Sequence, residues 1–298
     1  MRPSDIAISV IIPTMGRESL YPLVEALLRQ RSDYPFEIIL VPQADISSRL
    51  PESDIIRVIR ETPAKGIPYY RNKGVSLARG QVVAFIDDDE LPLDDQWLEK
   101  LTQPIIEKKV LVTTSGNMVP TGQGLVADAI SSLGYPGGGS VGFRSLWNVD
   151  ERDITDHLCS GNFAIDRNLL LELGCFDEKL SHGCEDVELA SRLIKRGHEI
   201  LYVEDATVLH EPRKRIMDFI LWHVRRGKSY YEYHAYRGIS RDLVSDRLKA
   251  SSRAIRQQGA KRGLLSMALL LLQYLAQLTG FVWHWWREKA AASTCRRA

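Results

Sequence analysis

The stretch "VVAFIDDDELP", residues 82–92, decides how this chain is read. Five apolar residues, two of them β-branched valines and one an isoleucine, run straight into three aspartates and a glutamate. The apolar part reads as a buried strand. The acids then end that strand with like charges side by side, which repel one another and resist burial. Either exposure to water or a divalent cation offsets such a cost.

Working outward, strands and helices alternate. "IAISVIIP" (6–13) is a continuous apolar run, the pattern of a strand covered on both faces. "RESLYPLVEALLRQR" follows with Leu20, Leu23, Val24, Leu27 and Leu28 on one helical face. "FEIILV" and "IIRVIR" read as a second and third strand, and "IPYYRNKGVSLARG" as a helix stopped by Gly80. "QVVAFID" is the fourth strand. The alternation predicts an α/β domain with a mostly parallel sheet, in which ligands bind beyond the C-terminal strand ends. Pro13, Thr14 and Arg17 fall at one such end, and Asp87, Asp88 and Asp89 at another.

Further along, "PLDDQWLEKLTQPIIEK" predicts a helix and "VLVTTSGNMV" a strand. Residues 120–160 carry "GYPGGGSVGF" and little periodicity, so a mobile substrate-covering loop is expected there, with a plain insertion as the alternative. "GNFAIDRNLLLELGCFDEKL" resumes as strand, helix and turn. "CEDVELASRLIKRG" is a helix with Val187, Leu189, Ala190, Leu193 and Ile194 as its apolar positions and Gly197 at its end. "HEILYVEDATVLH" gives two short strands, the second closing at His210.

The bulk properties narrow the function. With 298 residues, 44% hydrophobic, the chain is long enough for one large domain or a domain plus an extension. Lys and Arg number 39 against 38 Asp and Glu, so no global field points to nucleic acid. Cys159, Cys175, Cys184 and Cys295 lack metal-site spacing and read as reduced thiols of a cytoplasmic protein. "MRPSDIAISVIIP" lacks the design of a signal peptide, so a cytosolic catalytic part is expected.

Several residues have both a bland and a chemical reading. Alternate residues at a strand end point the same way, so Asp87 and Asp89 can share an ion while Asp88 turns aside. Such oxygen ligands suit Mg²⁺ or Mn²⁺ bound together with substrate phosphates. A solvated acidic turn is the plain alternative. Glu185 and Asp186 open a helix, where carboxylates are favoured by the dipole. They also suit a general base over a cavity, with Gly183 leaving room for a ligand. His210 reads as a structural residue or a ligand. Arg71 and Asn72 read as a surface helix face or as a phosphate clamp, for which the arginine fork is suited.

Taken in order, "SVIIPTMGR", "RNKGVSLARG", "FIDDDELP", "SGNFAIDRNLLLELGCFDE" and "GCEDVELASRLIKRGHEILYVEDATVLH" resemble glycosyltransferase family 2, over roughly residues 7–212. The resemblance implies a GT-A, Rossmann-like fold and an inverting, metal-dependent transfer of sugar from a nucleotide-sugar to an acceptor hydroxyl. It implies work on polysaccharide, glycolipid or other cell-envelope glycans. Asp87 and Asp89 match the family's Asp-x-Asp positions, with Asp89 foremost as the direct ligand of Mg²⁺ or Mn²⁺, and His210 matches a histidine that completes the metal site. Asp186 matches the catalytic base, with Glu185 orienting the acceptor. Pro13, Thr14, Arg17, Arg71 and Asp88 fall where the nucleotide is held, and Gly161 and Asn162 near the donor sugar. One departure stands out. Where the family often reads "VDDGS", this chain has "LVPQADIS", which puts Pro42 and Gln43 at the positions of an acidic pair that reads the base. Gln43 and the nearby Asp45 are the candidates for that task, and a UDP-sugar is the default donor. A nucleotidyltransferase, or a catalytically silent GT-A-like membrane scaffold, are the alternatives. "PTMGRESL" lacks the glycine- and lysine-rich phosphate loop of the first, and only the altered "VPQADIS" loop supports the second.

Beyond residue 212 the resemblance fades, and 213–298 reads as a C-terminal helical extension. Arg213, Lys214, Arg215, Arg225, Arg226 and Lys228 lie among aromatic residues and suit anionic lipid headgroups or a diphosphate-bearing acceptor. Residues 263–286 hold no formal charge over a length that spans a bilayer. Ser266, Gln273, Gln277 and His284 form a polar stripe along it. A spanning helix, an interfacial helix and a packing or dimer helix all fit that pattern. The membrane readings place the enzyme at the cytoplasmic face, next to a glycan or lipid-linked acceptor.

Overall fold

The computed structural model describes residues 6–46, 49–59, 65–237 and 260–295. Residues 1–5 of the leading stretch, Arg60 of the expected third strand and residues 238–259 of the extension lie outside them. In chain order the elements are β1 Ile8–Thr14, α1 Leu20–Leu28, β2 Phe36–Pro42, β3 Ile56–Val58, α2 Ile67–Leu77 and β4 Val82–Ile86. Next come β5 Glu90–Pro92, α3 Trp97–Ile106, β6 Val112–Thr114, β7 Asn117–Met118, α4 Leu125–Ser132, α5 Phe143–Leu146, β8 Ile154–Thr155 and β9 Asn162–Asp166. The chain closes with α6 Arg167–Glu172, α7 Glu185–Lys195, β10 Ile200–Tyr202, β11 Val208–His210, α8 Ile216–Arg237 and α9 Ala260–Cys295.

An eight-stranded sheet runs in the order β3-β2-β1-β4-β9-β6-β10-β8. β3, β2, β1, β4, β6 and β10 point one way, while β9 and β8 oppose them, so the sheet is mostly parallel as expected. β1 is buried along its whole length because both of its faces are covered. Ile8, Val10 and Ile12 pack with Leu20, Leu23, Val24 and Leu27 of α1 and Leu98, Leu101 and Ile105 of α3 on one side. Ile11, Val83, Phe85, Phe163 and Ile165 meet Tyr70 and Val75 of α2, Leu170 of α6 and Leu189 and Leu193 of α7 on the other. Each such aliphatic or aromatic side chain contributes about 1.5–3 kcal/mol by leaving water.

Three local expectations change. α2 ends at Leu77, three residues before Gly80. Its successors are drawn off by buried acceptors: Arg79 N donates to Glu37 Oε1 at 2.8 Å and Gly80 N to Ser9 Oγ at 2.9 Å. Gly80 is required instead by close approach, since a Cβ there would lie 2.6 Å from Ser9 N. "VLVTTSGNMV" is two strands in different sheets: β6 belongs to the large sheet and β7 to a small one ordered β5-β11-β7. Residues 120–160 are not a bare loop. They form α4, α5 and β8, and Leu133, Tyr135, Phe143 and Leu146 are buried. The glycine run packs rather than flexes: a Cβ at Gly139 would lie 1.8 Å from Ser131 O.

α8 and α9 pack on each other at a very close crossing. A Cβ on Gly227 would lie 2.0 Å from Gln277 O, and one on Gly280 2.0 Å from Val224 O. Phe219 of α8 and Leu269 of α9 share an apolar cluster with Ala129, Ile130, Leu133 and Tyr135, so the hairpin is seated on the α4 region. The polar stripe of α9 faces this seat rather than water. Gln273 Nε2 donates to the Tyr135 hydroxyl at 3.0 Å, Gln277 pairs with the His223 ring at 3.0 Å, and Ser266 is fully buried. Leu264, Met267, Leu271, Leu275, Leu278, Val282, Trp285 and Trp286 face outward instead. Gly263–Ala290 is long and apolar enough to cross a bilayer, with mean hydropathy 1.6 over its best window.

Candidate active site

The site is built where β1 and β4 end. The β4 exit carries Asp87, Asp88 and Asp89, and each goes a different way. Asp88 is buried and tied to the loop after β1: it accepts from Thr14 Oγ1 at 2.8 Å, Met15 N at 3.0 Å and Arg17 Nη1 at 3.1 Å. Burial raises its pKa, and the Arg17 charge and the Thr14 and Met15 hydrogen bonds pull against that. Asp89 accepts from Arg17 Nη1 at 2.7 Å and faces His210 Nε2 at 3.6 Å. Asp87 accepts from Arg71 Nη2 at 2.7 Å.

Arg71 is the hinge of the arrangement. It is fully buried on α2, and its other terminal nitrogen donates to Glu185 Oε1 at 2.6 Å. Burial works against its charge, but Asp87 and Glu185 more than offset that and raise its pKa. Glu185 is buried in turn, and burial followed by the charge of Asp186 raises its pKa while Arg71 opposes the rise. One guanidinium fork therefore fastens the acidic turn after β4 to the first residue of α7. Asp186, next in line, is half-buried and accepts from Val187 N at 2.8 Å. The turn leading into it is tight, with Gly183 at φ 132° and Cys184 at φ 67°, a left-handed conformation that non-glycine residues adopt at a cost.

His210 reaches Asp89 because β11 pairs antiparallel with β5 in the register His210 to Glu90. Its Nδ1 lies 3.0 Å from Glu211 O, an acceptor only, so Nδ1 is the donor. In the neutral ring Nε2 is then an acceptor, and it faces Asp89 Oδ1. Two acceptors turned on each other suit a shared cation, and this pair is what a divalent metal would use together with substrate oxygens. Among the described residues no three His, Cys, Asp or Glu side chains gather as a closed metal centre.

The other expected residues take various places. Pro13 and Thr14 end β1, and Gln43 N donates to Thr14 O at 2.9 Å, so the "LVPQADIS" loop lies against the end of β1. Asp45 sits exposed on the same loop. Asn72 braces the turn after α6, with Nδ2 donating to Phe176 O and Oδ1 accepting from Phe176 N, each at 2.9 Å. Asn162 is fully buried and spent on structure: its amide donates to Gly116 O and Ala206 O, and its Oδ1 accepts from Trp97 Nε1. Gly161 is needed beside Glu90, whose carboxylate would lie 2.4 Å from a Cβ there.

Glu90, Asn117 and Cys159 form a buried network under the acidic turn that sequence reasoning passed over. Glu90 Oε2 accepts from Asp87 N at 3.1 Å, its Oε1 accepts from Asn117 Nδ2, and Cys159 Sγ donates to Asn117 Oδ1 at 2.9 Å. Burial, then the charges of Asp87 and Asp89, push the Glu90 carboxyl well up. The pairing of β5 with β11 would have flagged Glu90, but no local pattern encodes it. The cysteines Cys159, Cys175 and Cys184 are free thiols, and burial holds Cys184 up at about 12.

Comparison with known proteins places this geometry. The family model for glycosyl transferase family 2 matches residues 9–174. A pre-mycofactocin glycosyltransferase of Mycobacterium tuberculosis is 30% identical over 231 residues, 73% of this chain and 45% of that protein. A glucosyl-dolichyl phosphate glucuronosyltransferase of Haloferax volcanii is 24% identical over 226 residues, 68% of this chain and 69% of that protein. The chain thus spans under half the length of the mycobacterial relative. Among solved structures, the mannosyltransferase PcManGT of Pyrobaculum calidifontis, in complex with GDP-Man and Mn²⁺, superposes with a TM-score of 0.58 at 16% identity, covering 96% of this chain and 89% of that one. GalNAc-T7 with UDP, GalNAc and Mn²⁺ gives 0.56 at 19% identity, covering 82% and 54%. Both neighbours share the fold. With more than half of its length matched by the family model and the GT-A sheet in place, the chain belongs to glycosyl transferase family 2 and is a glycosyltransferase.

Proposed function

We propose that the chain transfers a sugar from a nucleotide-sugar to an acceptor hydroxyl in one inverting displacement, with a divalent metal at the diphosphate. The observation that carries this is the Arg71 fork, which ties Asp87 on the donor side to Glu185 beside Asp186 on the acceptor side. Asp186 is the general base: it accepts the acceptor hydroxyl proton as that oxygen attacks the sugar carbon from the face opposite the leaving nucleotide. Glu185 orients the acceptor side by fixing the start of α7 through Arg71. Asp89 and His210, with Asp87 behind them, would hold Mg²⁺ or Mn²⁺, which supplies charge neutralisation for the leaving diphosphate. Thr14, Arg17 and Asp88 shape the phosphate end of the nucleotide cleft, and Gln43 and Asp45 line its base end. Gly161 keeps the floor of the donor-sugar site open above Glu90.

The Haloferax relative is named for a lipid-linked acceptor, glucosyl-dolichyl phosphate. The outward apolar face of α9 is in keeping with that setting. We therefore place the reaction at a membrane surface, in cell-envelope or other lipid-linked glycan synthesis. The two solved neighbours hold GDP-Man, and UDP with GalNAc, respectively, so the donor base is open between guanosine and uridine.

A thermal-shift screen tests the donor site. The protein meets UDP, GDP, dTDP and CDP, each with Mn²⁺ and with EDTA. A rise in melting temperature for one nucleotide, present with Mn²⁺ and absent with EDTA, is expected. No shift with any nucleotide would overturn the donor site and favour the silent-scaffold alternative.

A further inference from the structure

Asp186 follows the turn 181–184, and that turn is pressed between two helices. On one side lies the start of α2: a Cβ on Gly66 would come within 2.5 Å of Ser181 Cα and O. On the other lies α8: a Cβ on Gly183 would come 3.0 Å from Ser229 Oγ. The turn is weakly held by itself. Cys184 has φ 67°, a strained value for a non-glycine residue, and the hydrogen bond from Gly183 N to Leu180 O is long at 3.5 Å. α8 supplies the missing support. Leu180 and Cys184 are buried together with Tyr233. Ser229 is fully buried, and its hydroxyl donates to His182 O. Lys228 Nζ lies 2.8 Å from His182 Nε2. An ammonium only donates, so Nε2 accepts and the ring hydrogen sits on Nδ1. Nδ1 then donates to Glu232 Oε1 at 3.0 Å, with Ser181 Oγ alongside at 2.5 Å. Lys228 Nζ closes the triangle, 3.8 Å from the same Glu232 oxygen.

The reaction as drawn uses none of His182, Lys228, Ser229 and Glu232. Their contacts join residues 46–50 positions apart in sequence, so nothing local enforces them. They converge on the turn whose exit sets the direction of the first two residues of α7, Glu185 and Asp186. Arg71 fixes Glu185 from within the protein, and α8 fixes the turn just before it. We propose that Ser229 and Glu232, acting on His182, are positioning residues for the general base. They hold the turn 181–184 in its strained form and so aim the Asp186 carboxylate. Lys228 selects the ring tautomer that lets Nδ1 reach Glu232. The C-terminal hairpin is thereby part of the catalytic apparatus. The inference rests on the reading of Asp186 as the base, but the grip itself is read without turnover.

The turn carries its own reporter. Cys184 is buried and burial holds its thiol up at about 12, so it meets iodoacetamide only when the turn opens. Cys159, buried outside the turn, reports global opening. The full chain is alkylated under native conditions as wild type, Ser229→Ala, Glu232→Leu and Glu232→Gln, and each cysteine is followed by peptide mass spectrometry. Ser229→Ala and Glu232→Leu are expected to speed alkylation of Cys184 about tenfold or more, with Cys159 unchanged. Glu232→Gln keeps an acceptor for Nδ1 and should stay near wild type. Nucleotide release to water is read in parallel with UDP-glucose, UDP-N-acetylglucosamine, GDP-mannose and dTDP-rhamnose, each with Mn²⁺. On the donor that wild type turns over, the two loosening variants should lower kcat about tenfold and leave KM within about twofold. In an Asp186→Asn background they should add nothing, because they act through that residue. Equal rises at Cys184 and Cys159 would reduce the contacts to general stability and overturn the proposal. So would unchanged Cys184 reactivity, or a kcat loss as large in the Asp186→Asn background as in wild type. If Glu232→Leu melts early, Ser229→Ala decides by the same readouts. A wild type that turns over none of the four donors, with Cys184 loosened as expected, would count against the proposed transfer while upholding the grip.

Discussion

Arg71 is a fully buried guanidinium answered by two carboxylates, and its replacement exposes what the fork does. Arg71→Met leaves Glu185 buried without its counter-charge, so a loss of about 3–5 kcal/mol in urea unfolding is expected. Arg71→Lys keeps a charge but cannot bridge both partners, and should recover only part of that stability. Asp186 is a different case, because its carboxylate makes only a local hydrogen bond to Val187 N and is half-buried. Asp186→Asn is expected to lower kcat by about 10²–10⁴-fold while leaving the nucleotide thermal shift in place. Unchanged turnover in that variant would remove Asp186 from the role of base.

The helical elements show how close packing replaces side chains as the source of order. α8 and α9 meet where Gly227 and Gly280 each face a carbonyl of the other helix at a distance no Cβ tolerates. Gly227→Val should force the helices apart, at a cost of about 1–3 kcal/mol or more. A lower melting temperature, with faster proteolytic release of α9, checks this.

Across the whole molecule, the exposed stripe on α9 carries the prediction about surroundings. Leu271 and Leu278 lie a heptad apart on the outward face, each more than half exposed. Leu271→Glu with Leu278→Glu should leave thermal stability near that of wild type, because neither side chain supports the α8–α9 seat. It should abolish co-sedimentation with vesicles of phosphatidylcholine and phosphatidylglycerol. Undiminished co-sedimentation would show that the stripe does not meet lipid. A dimer-to-monomer change in light scattering, without any vesicle binding in wild type, would make a second copy its partner.

What the sequence determined by itself follows from local physics. The β-branched runs "ISVIIP" and "VVAFI" specify strands buried on both faces, and the leucine spacing in 20–28 specifies the helix that covers one of them. Acids at the end of β4 and at the start of α7 are visible as residue types in order, so the family and the candidates Asp87, Asp89, Asp186 and His210 were legible. Only the tertiary structure decided which partners those residues meet. The Arg71 fork joins side chains 114 positions apart, from Arg71 to Glu185, and His210 reaches Asp89 only through the β5–β11 register. Asn162, expected near the sugar, is consumed by backbone carbonyls, and the glycine run at 137–139 is compacted against α4. The polar stripe of α9 turned inward for the same reason: Tyr135 and His223, distant in sequence, supply the hydrogen bonds that make burying Gln273 and Gln277 favourable. Periodicity reports that a helix has two unlike faces, but which face meets the protein depends on partners that only folding brings into reach.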